Sequence, residues 1–308
     1  MTPQFAHVGG GSFEPLQLAG LTLVATAYAL RAISLRQEGR PVPTWRIVCF
    51  ASGIVLIGGA FASPLSHLGG ELLLAHMAQH LVMGDIGALL VVLGLTGPLL
   101  QPLLAVRWLG WLRTLTHPLI AFPLWVINLY VWHIPVLYEA AQGASALHAL
   151  EHTCFIGFGV LMWMPLVGPL PQPAWFGIPA KLGYLIGVRF AGAVLGNVFM
   201  WSNDVLYSRY ASGDGGWQIS PLTDQGVAGV IMVGEGGLVT LGVLVWLFLA
   251  WAQQDTERQR LLDLAESEGV PLSEARAGRA AAAGQGARLE GFADEFAAIL
   301  SRQIDVRS

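Results

Sequence analysis

Seven long apolar stretches dominate this 308-residue chain and leave it few folds to choose from. They run from Pro15 to Ser34, Trp45 to Ala62, Leu72 to Leu93, His117 to Ile134, Leu147 to Val167, Leu182 to Ser202 and Leu222 to Trp251. Each approaches the roughly 20 apolar residues that a helix needs to cross a bilayer core. In hydrocarbon, only helices and closed barrels satisfy their own backbone polar groups. The pattern predicts an all-α membrane protein, a bundle of seven transmembrane helices. Composition agrees, with 54% hydrophobic residues and 12% charged, against roughly 25% charged in a soluble domain.

The charges are unevenly placed. Of 16 basic and 20 acidic residues, 17 follow Trp251, so a water-soluble tail is expected behind a lipid-soluble body. The expected division is a flexible outer leader over 1–14, a transmembrane domain over 15–251 and a charged helical tail over 252–308. Within that tail an Ala/Gly-rich linker is expected from Ala277 to Ala287. Beyond it Leu289, Phe292, Phe296, Ile299 and Leu300 recur at helical spacing, an amphipathic stretch suited to resting on the protein or on lipid headgroups. No internal repeat is evident.

Net charge is -4, which provides no basic surface for nucleic acid. The two cysteines, Cys49 and Cys154, lie inside apolar runs and supply neither a disulfide framework nor a Cys-rich metal site. No basic stretch precedes a short apolar core at the start, so no cleavable signal peptide is expected.

Basic residues of the connections set the expected orientation. Arg36, Arg40 and Arg46 lie between spans one and two, Arg107 and Arg113 between three and four, Lys181 between five and six, and Arg258 and Arg260 after seven. On the other side only Arg209 is basic. The N-terminus is therefore expected outside and the C-terminus in the cytoplasm.

Ionisable groups at membrane depth are costly, and each is a functional hypothesis. Here they are mostly histidines. Span three opens with Ala75-His76-Met77-Ala78-Gln79-His80, span four ends at Trp132-His133-Ile134-Pro135, and span five opens with His148-Ala149-Leu150-Glu151-His152. Span seven begins with Pro221-Leu222-Thr223-Asp224-Gln225. Under the orientation above, the five histidines and Asp224 share one depth near the outer face.

Residues i and i+4 share a helical face, so each HxxxH pair is a bidentate platform for an ion about 2 Å from each nitrogen. Imidazole suits copper, zinc, iron or nickel, while thioether from Met83 or Met232 tilts the choice toward Cu(I). The expected metal set is His76, His80, His133, His148, His152 and Asp224 with Met83 and Met232. Glu151 and Asp224 are expected to orient imidazoles by accepting their second N–H, with Gln79 and Gln225 as further supporting groups. A histidine that only hydrogen-bonds between helices is the plainer alternative for any one of these positions.

Other polar residues carry less. Deeper down, Asp85 or Glu235 can pair with Arg189, as a structural ion pair or as part of an ion path. His67 and His117 are expected to be solvated, His7 has no assigned role, and Cys154 reads as a small buried apolar residue. Tyr130, Trp132, Tyr138, Trp201, Tyr207 and Tyr210 read as an aromatic belt at the outer interface.

Ser63-Pro64, AHMAQH from Ala75, WHIPVLYEAA from Trp132, HALEH from His148, VLYSRY from Val205 and PLTDQGVAGVIM from Pro221 together resemble the multi-span CtaG family of cytochrome c oxidase assembly factors. That family is distinct from the single-span copper chaperone that shares its name. Order and spacing are similar from about Leu21 to Trp251. The resemblance implies a bacterial plasma-membrane protein needed to make an active haem-copper oxidase, with copper supply to the oxidase subunits as the role usually proposed. It maps the family's recurring residues onto His76, His80, His133, His148, His152, Asp224 and Gln225. The chain departs from the pattern after Met232, where Val233-Gly234-Glu235-Gly236 stands in place of an expected aromatic residue and proline.

Three readings follow. In the first, the outer cluster binds copper and passes it on, and the protein is not an enzyme. In the second, His148 to His152 matches the inverted zincin pattern H-x-x-E-H, two zinc ligands and a glutamate that activates water, so a membrane zinc hydrolase is the runner-up. In the third, the histidines only bond between helices and the protein is a metal-free assembly scaffold. A bis-histidine haem is disfavoured, because two histidines one turn apart cannot occupy opposite axial positions. The deep ionisable groups are too few for an ion transporter.

Overall fold

The computed structural model describes residues 15–106, 110–212, 217–267, 269 and 271–282. Among them every regular element is helical and there is no strand. Six helices are long and apolar enough to cross a bilayer. α1 spans Pro15–Gln37 and α2 spans Thr44–Ala62. The short α3, Pro64–Leu68, is capped by the Ser63 hydroxyl and leads into the third long helix, Leu73–Gly94. α6 (Gly97–Ala105) and α7 (Trp111–Leu115) are short. α10 spans Ser145–Val167, α11 spans Ile178–Trp201 and α12 spans Pro221–Ser267.

The fourth expected span, His117 to Ile134, is helical over α8, Pro118–Trp132, 15 residues, and a further helix, α9, covers Pro135–Gly143 beyond it, with a 72° bend between the two. At about 1.5 Å per residue α8 reaches only about 22 Å, short of a roughly 30 Å hydrocarbon core. Pro135 is the cause: it forces the preceding Ile134 into extended backbone, φ −63° and ψ 125°, and starts a new helix at its own position. A seven-span count therefore requires α8 and α9 to act as one crossing.

The third long helix is also not uniform. α4 (Leu73–Leu81) passes into a π-helical segment, Val82–Gly87, before α5 (Ala88–Gly94) resumes the ordinary pitch. A π turn frees a carbonyl from the helix ladder, and Trp163 Nε1 on α10 donates to the Asp85 carbonyl there at 3.1 Å. Close approach requires glycine at this level: a Cβ on Gly159 of α10 would collide with the Gly84 carbonyl. Small residues that let backbones meet are the usual basis of helix packing in lipid.

The described residues fall into two compact units that divide between Thr240 and Leu241, within α12. In the first, Phe50, Ile57, Ala60, Phe61, Met83 and Val91 form one apolar core, and Leu73, Met77, Leu129, Trp132, Phe155 and Phe199 belong to another beside the histidines. In the second, α13 (Glu274–Ala282) packs Ala277 and Ala280 against Leu261. The expected linker thus begins inside a helix, since alanine is the strongest helix former and outweighs the single Gly278. The amphipathic stretch from Leu289 to Leu300 and the leader with His7 lie outside the described residues.

Candidate metal centre

The histidines of α4 and α10 converge. Ring centroids are 4.2 Å apart for His76 and His80, 4.1 Å for His148 and His152, 5.3 Å for His80 and His152, and 5.7 Å for His76 and His148. Each pair is one helical turn apart on its own helix, and the two helices set the pairs face to face. His76, His80 and His152 are buried, and His148 is half-buried.

Glu151 enters the middle of this group. Its Oε1 lies 3.8 Å from His76 Nε2 and 3.8 Å from His80 Nε2, with all three side chains at most 5% exposed. These ligand atoms all lie within 4.8 Å of one another. A separation of 3.8 Å is too long for a hydrogen bond, which needs about 3.2 Å or less. It suits two donors sharing one ion about 2 Å from each. His80 adds a second indication, because both of its ring nitrogens are buried without a hydrogen-bond partner among the described residues. A buried polar group left so is costly unless something else engages it. Glu151, expected as a supporting group, places its carboxylate oxygen beside the two imidazole nitrogens, where it could serve as a ligand.

His133, at the C-cap of α8, sits across Phe155 from His80; the Phe155 ring is 4.1 Å from His80 and 5.9 Å from His133. Its Nδ1 is 2.7 Å from the Leu129 carbonyl, which can only accept, so Nδ1 carries the hydrogen. In the neutral ring this leaves Nε2 with a lone pair facing the Met77 thioether at 3.4 Å. Met77 was missed by the sequence reading, although it lies between the two histidines of AHMAQH. Its fully buried position beside His133 could not be inferred from spacing along one helix, because the contact comes from a second one.

The remaining expected residues lie elsewhere. Asp224 accepts from the amides of Leu73 and Leu74 at 2.7 and 2.9 Å, holding N–H groups of the first turn of α4 that have no partner within the helix and so fixing the helix that carries His76 and His80. Gln79 donates to the Ala60 carbonyl on α2 at 3.0 Å. Gln225 accepts from the Leu206 amide and donates to the carbonyls of Phe199 and Asp204, tying down the connection after α11. Met83 is packed in the core with Phe50 and Ile57, and Met232 lies against Gly196 on α11 and lines a deeper cavity. His117 caps α8 by accepting from the Leu119 amide, and His67 lies 3.8 Å from Glu71.

The expected aromatic belt is corrected at most of its positions. Only Trp201 is strongly exposed, while Trp132, Tyr138, Tyr207 and Tyr210 are buried. Tyr138 meets His76 edge-on at 5.2 Å and stacks on Tyr207 at 4.0 Å. The Tyr210 hydroxyl is 2.8 Å from that of Tyr138 and donates to the Gly69 carbonyl at 2.7 Å, and the Tyr207 hydroxyl donates to the His133 carbonyl. Burial pushes Tyr210 up to about 12 and Tyr207 higher still, so both hydroxyls stay protonated at neutral pH. Their polar ends find partners within the protein, which is why they turn inward over the imidazoles rather than toward headgroups. Gln142 of α9 approaches His76 Nε2 at 3.4 Å from the same side.

Comparison with known proteins places this geometry. Uncharacterised proteins of Mycobacterium bovis and Mycobacterium tuberculosis are each 27% identical to the chain over 262 residues, and one of Mycobacterium leprae is 25% identical over the same length. The alignments cover 79% of this chain but 39 to 40% of those proteins, so the chain spans about two fifths of the length of these relatives. No solved structure matches. A family model described as cytochrome c oxidase caa3 assembly factor matches residues 26–254, from within α1 to within α12, and so takes in the whole histidine cluster. The chain belongs to the cytochrome c oxidase caa3 assembly factor family.

Proposed function

We propose that this protein carries copper to a haem-copper oxidase during its assembly, binding Cu(I) as cargo at His76, His80 and Glu151 with His148 and His152 within reach. The observation that carries the reading is the convergence of three buried ligand atoms at separations that suit one shared ion. Charge favours Cu(I) over a divalent ion: two neutral imidazoles and one carboxylate sum to −1, which a monovalent cation cancels, and a buried site tolerates net charge poorly. The nearby pair of His133 Nε2 and Met77 Sδ adds a soft sulfur donor, the type that selects Cu(I).

In this reading the chain crosses a bacterial plasma membrane seven times, with α8 and α9 forming one bent crossing. The N-terminus is outside and the C-terminus cytoplasmic, as the basic connections Arg36 to Arg46, Arg113 and Lys181 favour. The cluster then faces the outer side, where an oxidase subunit can receive the ion. Gln142, which approaches His76 from α9, is the polar group positioned to release the imidazole as the ion arrives and to return to it as the ion leaves.

Metal content of the detergent-purified protein, loaded with copper under reducing conditions, tests this. Stoichiometric copper in the wild type that is lost in a His76→Ala/His80→Ala variant is the expected result. Stoichiometric zinc retained against excess copper would favour a hydrolase with Glu151 as its base, and no metal in either protein would favour a scaffold.

A further inference from the structure

A second polar centre lies away from the imidazoles. Asp85, on the π-helical segment, receives Trp163 Nε1 at 2.9 Å on Oδ1, Arg189 Nη2 at 3.3 Å on the same oxygen and a short bond from Arg189 Nη1 on Oδ2. Both oxygens of Asp85 are therefore committed to cationic or N–H donors. Glu235 of α12 lines the same cavity as Asp85 and Arg189. Its own two oxygens are buried without a hydrogen-bond partner among the described residues, as is Arg189 Nε.

Asp85, Arg189 and Glu235 line one cavity of about 190 Å³, walled otherwise by apolar residues and glycine. Among the described residues they are the only ionisable groups in its lining. A liquid water occupies about 30 Å³, so the cavity has room for several. Two carboxylates face a single guanidinium, and the guanidinium is already spent on one of them. Full ionisation would leave a net negative charge in a cavity walled by apolar side chains, which is costly unless a cation neutralises it. Carboxylates that share a site resolve this by retaining one proton between them.

We propose that Glu235 is a proton-binding site inside the membrane domain: its carboxyl takes up one exchangeable proton from the cavity water while the Asp85–Arg189 pair stays ionised. In the step, a hydronium ion gives its proton to a Glu235 oxygen, one O–H bond forms, water is released and no electron moves. The site is separate from the copper reading and holds whether or not the imidazoles bind metal. It also accounts for Glu235 standing where the family pattern leads one to expect otherwise: a carboxyl opposite an ion pair converts that pair into a group able to change charge.

Infrared spectroscopy of the metal-free, full-length protein at neutral pH tests this through the carbonyl stretch of a protonated carboxyl. The expected result is a band in the wild type that shifts in D₂O and disappears in Glu235→Gln. The same band should vanish in Asp85→Asn, where Glu235 becomes the sole carboxylate facing Arg189 and gives up its proton. Thermal unfolding of both variants confirms that they are folded, and the amide replacements preserve shape for that purpose. A wild-type spectrum without the band, a band that survives Glu235→Gln, or one insensitive to D₂O would overturn the proposal.

Discussion

The imidazole cluster and the Asp85–Arg189–Glu235 centre are both buried polar groups in an apolar protein, yet they are built on opposite plans. Around Asp85 the protein provides the cation itself: Arg189 and Trp163 take both carboxylate oxygens. Around Glu151 the neighbours are imidazoles, whose Nε2 atoms on His76 and His80 lie 3.8 Å from its Oε1. At one centre the Asp85 carboxylate is fully bonded and leaves only Glu235 open, and the other is a set of donors spaced for something larger than a proton. Removing a group should therefore damage stability at the first and binding at the second.

The largest effect expected from breaking that contrast is at Asp85. Asp85→Ala removes the carboxylate held by Arg189 and Trp163 and should destabilise the fold by up to about 3 kcal/mol, Glu235 ionising to face the guanidinium in its place, while folded protein still binds copper at wild-type stoichiometry. His80→Ala is the mirror image. It breaks no hydrogen bond of the ring, so denaturant unfolding should change less than for Asp85→Ala, but the copper count should fall. Equal losses of stability and metal in both variants would show that the two centres act as one.

Tyr210→Phe should have an intermediate effect. It removes the donor to Gly69 and the bond to Tyr138, at a cost of about 1–3 kcal/mol in thermal or chemical unfolding. Copper should remain bound but exchange faster with a chelator, because the tyrosine roof over His76 is loosened. The smallest effect is at Asp224, where alanine removes a cap from α4 worth about 1 kcal/mol and asparagine keeps most of it. A much larger loss in metal affinity than in stability on Asp224→Asn would mean that Asp224 also acts on the imidazoles.

The extent to which these centres were legible in sequence follows from how local each signal is. Apolar runs report helices directly, and the i, i+4 spacing of His76 with His80 and of His148 with His152 reports a shared face without knowledge of the fold. Contacts made by a second helix are invisible to such periodicity. That is why Met77 beside His133, the inward turn of Tyr138, Tyr207 and Tyr210, and the capping role of Asp224 had to come from the structure. Two local departures were also hidden. The helix that starts at Pro135 lies beyond the apolar run expected as a span, and the π turn at Asp85 lies in a run, Val82 to Gly87, whose glycines are equally at home in an ordinary membrane helix.

The account turns on whether copper sits on imidazole nitrogen in the α4–α10 cluster. Copper K-edge X-ray absorption of the reduced, copper-loaded protein, recorded beside the His76→Ala/His80→Ala variant, measures this most directly. A nearest shell of nitrogen and oxygen at about 2 Å with outer scattering from imidazole carbons, abolished in the variant, is the predicted result. A spectrum without imidazole scattering, or one that the double substitution leaves unchanged, would contradict it.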